Sequence, residues 1–254
     1  MRIAFAGTPE VAVPVLEALM ATEHEIAFVI TRPDAPAGRG RVLTPSPVSV
    51  IAQEHNLTCF KTTDLISLAN ELASVDCVVV VAFGAMVPAE LLNVPKHGWI
   101  NVHFSLLPQW RGAAPVQYAI KAGDDVTGVS AFQIDAGLDT GPILGSIATA
   151  IRSGETSGEL LNRLSIEGAA LMVATLSALE AGSIQGVPQP ASGISVAPKI
   201  AKDDARVTWK LPALAIERHI RAMTPEPGAW TMVGDQRIKL FPVILATEIS
   251  HLKP

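Results

Sequence analysis

Residues 77–82 read Cys-Val-Val-Val-Val-Ala, an unbroken apolar run with four consecutive valines. β-Branched side chains lose rotamer freedom in a helix and pack well on a pleated surface, so the run predicts a strand. A strand with no polar residue on either face must be covered on both faces, as a central strand of a parallel sheet is. That requirement calls for helices above and below, and the flanking sequence contains them. Strand-like pieces at 2–6, 25–30, 58–61, 76–83 and 99–102 alternate with helical patterns at 9–20, 46–55, 64–73 and 113–122. Thr8 and Pro9 suit the N-cap and first turn of the first helix, and Pro47 suits the start of the second. Two more strands, 126–135 and 143–151, precede a long helix over 155–181 with apolar positions such as Leu160, Leu164, Leu171 and Leu176. The order predicts an α/β fold: a Rossmann-like, mostly parallel sheet with helices on both faces.

The texture changes near Gly182. Residues 186–193 and Pro198 form a Pro- and Gly-rich stretch that reads as a linker. Beyond it come short β-like pieces at 207–209, 229–233 and 238–243, with a helix at 212–222 between the first two. The expected organisation is therefore a main domain over 1–183, a linker over 184–203, and a small β-barrel-like domain over 204–254. With 49% hydrophobic and 17% charged residues the chain can bury a substantial core. No apolar run approaches the roughly 20 residues that span a bilayer. The N-terminus runs straight into a strand pattern with no cleavage region, so a cytoplasmic location is expected. Cys59 and Cys77 are too few and too far apart for a disulfide framework or a zinc knuckle. A net charge of −5 means that any nucleic-acid partner must be met by local basic patches.

Common catalytic motifs are missing. The first turn carries the single Gly7 and no G-x-G-x-x-G, and no P-loop occurs. The six histidines show no metal-ligand spacing, so no metal is expected. Ser105 has no G-x-S-x-G elbow. What remains is a pair. Asn101 and His103 stand two apart on a predicted strand, so both side chains project from one face near the strand's end. Open α/β sheets bind ligands beyond the carboxyl ends of their strands. Further on, Asp135 and Asp139 lie in a glycine-containing loop between two strands. An amide, an imidazole and a carboxylate suffice for acyl transfer to an amine. Asn101 and a protonated His103 can hold a tetrahedral oxyanion, and a carboxylate can orient the imidazole and raise its pKa. The plainer reading makes Asn101 a turn residue, His103 a backbone-bonded histidine and both aspartates loop-shaping groups. On these grounds Asp135 and Asp139 are equal candidates.

The blocks Asn101-Val-His103, Ser105-Leu-Leu-Pro-Gln-Trp-Arg-Gly112 and Leu138-Asp-Thr-Gly141 resemble the signature of the 10-formyltetrahydrofolate-dependent formyltransferases. The resemblance implies catalytic roles for Asn101, His103 and Asp139, with 10-formyltetrahydrofolate as formyl donor. It implies a folate cleft beside Phe83, Gly84 and Met86 and the loop Ser105, Leu106, Leu107 and Pro108. The stretch from Arg32 to Val48 resembles a loop that, in members acting on initiator methionyl-tRNA, reaches over the amino-acid end of the tRNA. Arg39 and Arg41 are then the expected phosphate contacts on a flexible cationic arm. Residues 206–210 and 220–230 are similar to the opening of the family's C-terminal β-barrel domain. Action on methionyl-tRNA is the implied whole, and nothing in the sequence demands more than a monomer. Two departures stand out. Phe104 replaces a smaller residue and is expected to turn inward, opposite His103. The chain also stops at Pro254, so the barrel is expected to be abbreviated. Alternative readings are a formyltransferase for a small amine, such as an amino-sugar nucleotide or glycinamide ribonucleotide, and a non-catalytic folate- or tRNA-binding module.

Overall fold

The first strand, β1 (Arg2–Gly7), lies inside the sheet, third from one edge, and later strands are added first on one side of it and then on the other. The computed structural model describes residues 1–37 and 40–245. After β1 a 3-10 turn, Glu10–Ala12, leads into α1 (Val13–Met20), then β2 (Glu25–Thr31). A small hairpin, β3 (Ala35–Ala37) and β4 (Val42–Thr44), precedes α2 (Pro47–Glu54) and β5 (Cys59–Lys61). The chain then crosses back through α3 (Ala69–Leu72) to β6 (Cys77–Val81) and β7 (Trp99–His103). Helix α4 (Pro115–Ala122) leads to β8 (Val126–Gln133), β9 (Ile143–Ala150) and the 24-residue α5 (Ser157–Glu180).

The seven-stranded sheet runs β5-β2-β1-β6-β7-β8-β9. The pairs from β5 to β7 are parallel; β8 and β9 add antiparallel partners at one side. The valine run is fully central, with Cys77, Val78, Val79 and Val81 at 0% exposure. Burying each such side chain contributes roughly 1.5–3 kcal/mol. Its alternate residues divide between two apolar layers. Val79 and Val81 join the layer built with α1, α4 and α5, whereas Val78 and Val80 pack with Leu65, Leu68, Leu72 and Trp99. The α/β sheet expected from the valines is the sheet that forms.

Several local readings change. Thr8 does not cap the first helix. Its hydroxyl donates to the Phe83 carbonyl at 3.0 Å, tying the end of β1 to the end of β6. Residues 64–73 hold only a 3-10 turn, Ile66–Leu68, and the single-turn α3. The arginine stretch is no irregular arm on its flanks, since β3 and β4 pair antiparallel there. Ser46 does cap α2, accepting from the Ser49 amide at 3.1 Å. A capping box between Thr156 and Glu159 starts α5. Phe104 turns into the α5-side layer, opposite His103, as alternation along a strand predicts.

The C-terminal part contains α6 (Ala213–Ala222), β10 (Trp230–Val233) and β11 (Gln236–Lys239). Among the described residues β10 and β11 form a two-stranded antiparallel sheet and no closed barrel, and the Val207–Trp209 piece supplies no strand. This part is fastened to the main sheet's helices. Ser157 Oγ donates to the Thr224 carbonyl at 2.7 Å, and Arg221 Nη1 to the Glu155 carbonyl at 2.8 Å. Ile220, Met223 and Trp230 share one apolar cluster with Leu160 and Leu164.

Residues 184–203 run as an extended strap over the loops at one end of the sheet. Val187 exchanges two 2.8 Å backbone hydrogen bonds with Ile143, and Arg111 pairs with Val196. Gly112 sits beneath this strap with φ 121°, and a Cβ there would lie 2.6 Å from the Ala197 carbonyl oxygen. Both the backbone conformation and the close approach need glycine. Gly112→Ala is therefore expected to lower the unfolding free energy by about 1–3 kcal/mol, read from urea denaturation. Unchanged stability would mean that strap and loop separate without cost.

Candidate functional site

The sheet reverses its strand order between β1 and β6, and ligand crevices form at such points beyond the carboxyl ends of parallel strands. A cleft of about 700 Å³ opens beside this point, at the ends of β6 and β7. Asn101, His103 and Asp139 all line it. So do Phe83, Gly84 and Met86 from the segment after β6. Leu138 and Ile134 complete an apolar wall. Met86 and Leu138 are 72% and 58% exposed, so much of this wall faces open solvent and can be covered by an apolar ligand. Backbone turns sharply here: Ala82 has φ 47° and Gly84 φ 81°. The Arg32 side chain lies 3.5 Å from where a Cβ on Gly84 would stand, placing a cation at the rim.

His103 is buried in this wall, 5% exposed, with Phe132 edge-on at 6.3 Å between ring centroids. Its Nε2 lies 2.9 Å from the Trp110 carbonyl and its Nδ1 lies 3.7 Å from Asp139 Oδ2. Trp110 can only accept at that oxygen, so Nε2 carries the proton in this arrangement. Burial pushes the imidazole below its ordinary pKa, while the Asp139 carboxylate and the Trp110 carbonyl oppose that fall. The net direction is downward, so the resting histidine is neutral at neutral pH. This corrects the protonated His103 expected from sequence, because the cost of burying a charge outweighs the carboxylate's pull. The two oxygens are nonetheless placed to stabilise an imidazolium once a proton arrives.

The two aspartates of the loop differ. Asp135 Oδ1 accepts from the Gly137 amide at 3.0 Å and from the Thr140 hydroxyl at 2.7 Å, closing the turn. Asp139 Oδ2 accepts from the Gly112 amide at 2.7 Å and faces His103. Asn101 is half-buried, and among the described residues its carboxamide has no hydrogen-bond partner, which leaves its N–H groups for a ligand.

Ser105, Leu106, Leu107 and Pro108 do not line the cleft. Ser105 is 1% exposed and its hydroxyl donates to the Gln109 carbonyl at 2.5 Å, while Ser130 Oγ donates to the Ser105 carbonyl at 2.8 Å. These residues turn the chain inside the fold and so carry Trp110 to His103. Arg41 is exposed beside the β3–β4 hairpin with φ 51°, and Arg39 lies outside the described residues. Sequence reading passed over the Trp110 carbonyl and the Gly112 amide as partners of His103 and Asp139. Backbone groups leave no signature of their own, although both residues stand within the block that carries the resemblance.

The neutral histidine has a direct check. His103 is expected to titrate below about 6.5, the ordinary imidazole value, in histidine-edited NMR. Asp139→Asn removes the carboxylate that opposes the fall, so the titration should move lower still. Titration above the ordinary value, or an upward move in Asp139→Asn, would rule out the burial argument.

The formyl transferase family matches residues 1–176, and the family described as formyl transferase, C-terminal domain, matches residues 199–254. The methionyl-tRNA formyltransferase of Rhodococcus erythropolis is 55% identical over 254 residues, covering 98% of this chain and 82% of the relative. That of Salinispora tropica is 51% identical and covers 100% of this chain and 84% of its own length. Among solved structures, a 4-N formyltransferase from Francisella tularensis superposes with a TM-score of 0.76 at 15% identity, covering 96% of this chain and 98% of that one. An N-formyltransferase from Helicobacter canadensis, in complex with folinic acid and dTDP-3-aminofucose, gives 0.73 at 19% identity over 92% of this chain and 85% of its own. At such identities the structural likeness speaks for the fold.

Proposed function

The chain belongs to the formyl transferase family, and on that premise we propose that it moves the formyl group of 10-formyltetrahydrofolate to the α-amine of initiator methionyl-tRNA. The observation that carries this reading is identity above 50% to relatives named methionyl-tRNA formyltransferase across essentially the whole chain. The small-amine alternative rests on structural neighbours no more than about one-fifth identical and gains nothing from that likeness. A binding module without catalysis would have no use for three convergent polar groups at one end of the cleft.

In this reading the donor's flat ring system lies against the apolar wall, with Phe83 and Met86 beside it and Gly84 allowing close backbone approach. The methionyl amine attacks the formyl carbon, forming the new C–N bond and a tetrahedral oxyanion. The free carboxamide N–H of Asn101 donates to that oxygen. The amine's proton passes toward the His103–Asp139 pair, where an imidazolium is flanked by the Trp110 carbonyl and the Asp139 carboxylate. Collapse breaks the bond from the formyl carbon to N10, and N10 takes a proton as tetrahydrofolate leaves. Arg39 and Arg41 are the residues assigned to tRNA phosphates, Arg41 standing exposed beside the β3–β4 hairpin. No helix among the described residues is long and apolar enough to cross a membrane, and we assign the enzyme to the cytoplasm as a monomer.

Asn101→Ala and His103→Ala are each expected to lower kcat by roughly 100-fold or more, the scale of removing an oxyanion donor in the first and a proton acceptor in the second. Normal turnover in both would reject the site. The acceptor is settled by incubating the chain with 10-formyltetrahydrofolate and either charged initiator tRNA or a nucleotide-linked amino sugar. Formyl on the sugar alone rejects the tRNA reading. A double Arg39→Ala, Arg41→Ala variant should bind tRNA more weakly and show a salt dependence shallower by about two units of log–log slope. An unaltered slope would remove the hairpin from the phosphate contacts.

A further inference from the structure

Two residues that hold the histidine–aspartate pair have backbones that side chains rarely tolerate. Trp110, whose carbonyl accepts from His103, has φ 59°, and Asp139 has φ 52°. A left-handed conformation at such residues costs on the order of 1–3 kcal/mol and persists only where surrounding contacts enforce it. In both cases the enforcing side chain comes from the strap over residues 184–203. Ser195 Oγ accepts from the Trp110 amide at 2.9 Å. Gln189 Nε2 donates to the Asp139 carbonyl at 2.8 Å and to the Gly141 carbonyl at 2.9 Å. The opposite end of the same carboxamide accepts from Arg111 Nε at 3.1 Å and Nη2 at 2.6 Å. Gln189 is thus bonded at both ends, joining the Trp110–Gly112 loop to the Asp139 loop.

The backbone continues the pattern. Arg111 donates to the Ser195 carbonyl at 2.9 Å, and Ala197 and Ala114 complete the pairing through bonds of 2.7 and 3.1 Å to Arg111 and Ala197 carbonyls. Neither Gln189 nor Ser195 lines the cleft. Gln189 bonds the Asp139 backbone, and Ser195 bonds Trp110, whose carbonyl meets His103.

We propose that residues 184–203 are a strap that sets the geometry of the formyl-transfer site, with Gln189 and Ser195 as its positioning residues. The proposal rests on the roles assigned above to His103 and Asp139. Gln189 holds Asp139 at its distance from His103. Ser195 holds the Trp110 carbonyl against Nε2. The same strap leads directly into the C-terminal part, so that the segment joining the two parts of the chain also shapes the chemistry. A strap that merely stabilised the fold would need only its backbone pairing and the Arg111 contact.

The test is steady-state kinetics on the full chain with 10-formyltetrahydrofolate and methionyl-tRNA, beside thermal unfolding of each variant. Gln189→Ala removes both ends of the carboxamide. Gln189→Glu keeps an acceptor for Arg111 but cannot donate to the Asp139 and Gly141 carbonyls. Both are expected to lose kcat by roughly 10- to 100-fold, the scale of a small misplacement of reacting groups, with KM for each substrate within about twofold. Ser195→Ala should likewise lose kcat, and Ser195→Thr, which restores a hydroxyl, should recover it. Wild-type kcat in folded Gln189→Ala, full kcat in Gln189→Glu, or a rise in KM alone would overturn the proposal. Should the Gln189 variants not fold, the Ser195 pair decides, and equal kcat in Ser195→Ala and Ser195→Thr overturns it. His103→Ala separates the levels. If that variant keeps full turnover, the catalytic reading itself fails; if it is inactive while Gln189→Ala is normal, only the strap is rejected.

Discussion

The buried imidazole of His103, held between the Trp110 carbonyl and the Asp139 carboxylate, is the arrangement on which the rest of the site depends. In the neutral ring the Nε2 hydrogen is committed to the Trp110 carbonyl, and Nδ1 is left with its lone pair beside the Asp139 carboxylate. Burial keeps it uncharged at rest; the same two oxygens favour the charge when a proton is delivered. In the proposed reaction, His103 serves as a base only while both oxygens stay in place. Much of the surrounding structure serves that end.

The sheet supplies the fixed part. β7 is clamped between the buried β6 and the antiparallel β8, so Asn101 and His103 emerge from a strand with little freedom to shift. The reversal of strand order between β1 and β6 leaves a crevice there, and the Thr8–Phe83 hydrogen bond joins the two strand ends at its edge. The loops supply the adjustable part. Trp110 and Asp139 have left-handed backbones where they meet His103, and both share hydrogen bonds with a segment 85 and 50 residues further on, respectively. Rigid strands and constrained loops together hold Asn101, His103 and Asp139 at one end of the cleft, the placement the proposed reaction needs.

The C-terminal part is joined to this core through shared apolar packing and through bonds from Thr224 and Arg221 to the start of α5. The guanidiniums of Arg206 and Arg237 lie 5.4 and 4.0 Å from the Trp230 ring centre, which helps secure β10 beside the end of the strap. The strap therefore runs between two anchored regions, and its position over the loops is well determined.

The order of strands and helices was legible because the apolar period changes visibly from two to 3.6 along the chain, and the valine run demanded cover on both faces. The shared face of Asn101 and His103 followed from strand alternation alone, as did the inward turn of Phe104. Thr8 misled because its local context is that of an N-cap, while its actual partner lies 75 residues away. Ser105–Pro108 misled for a related reason: a motif adjacent to the site in sequence is spent on turning the chain. The different hydrogen-bond partners of Asp135 and Asp139, the downward push of burial on the His103 pKa and the hydrogen bonds made by Gln189 and Ser195 were decided by tertiary structure. Each depends on distance and burial between segments remote in sequence. A linear pattern carries the identity of a side chain and its local face, but the charge state and orientation of a buried group are set by whatever the fold brings against it.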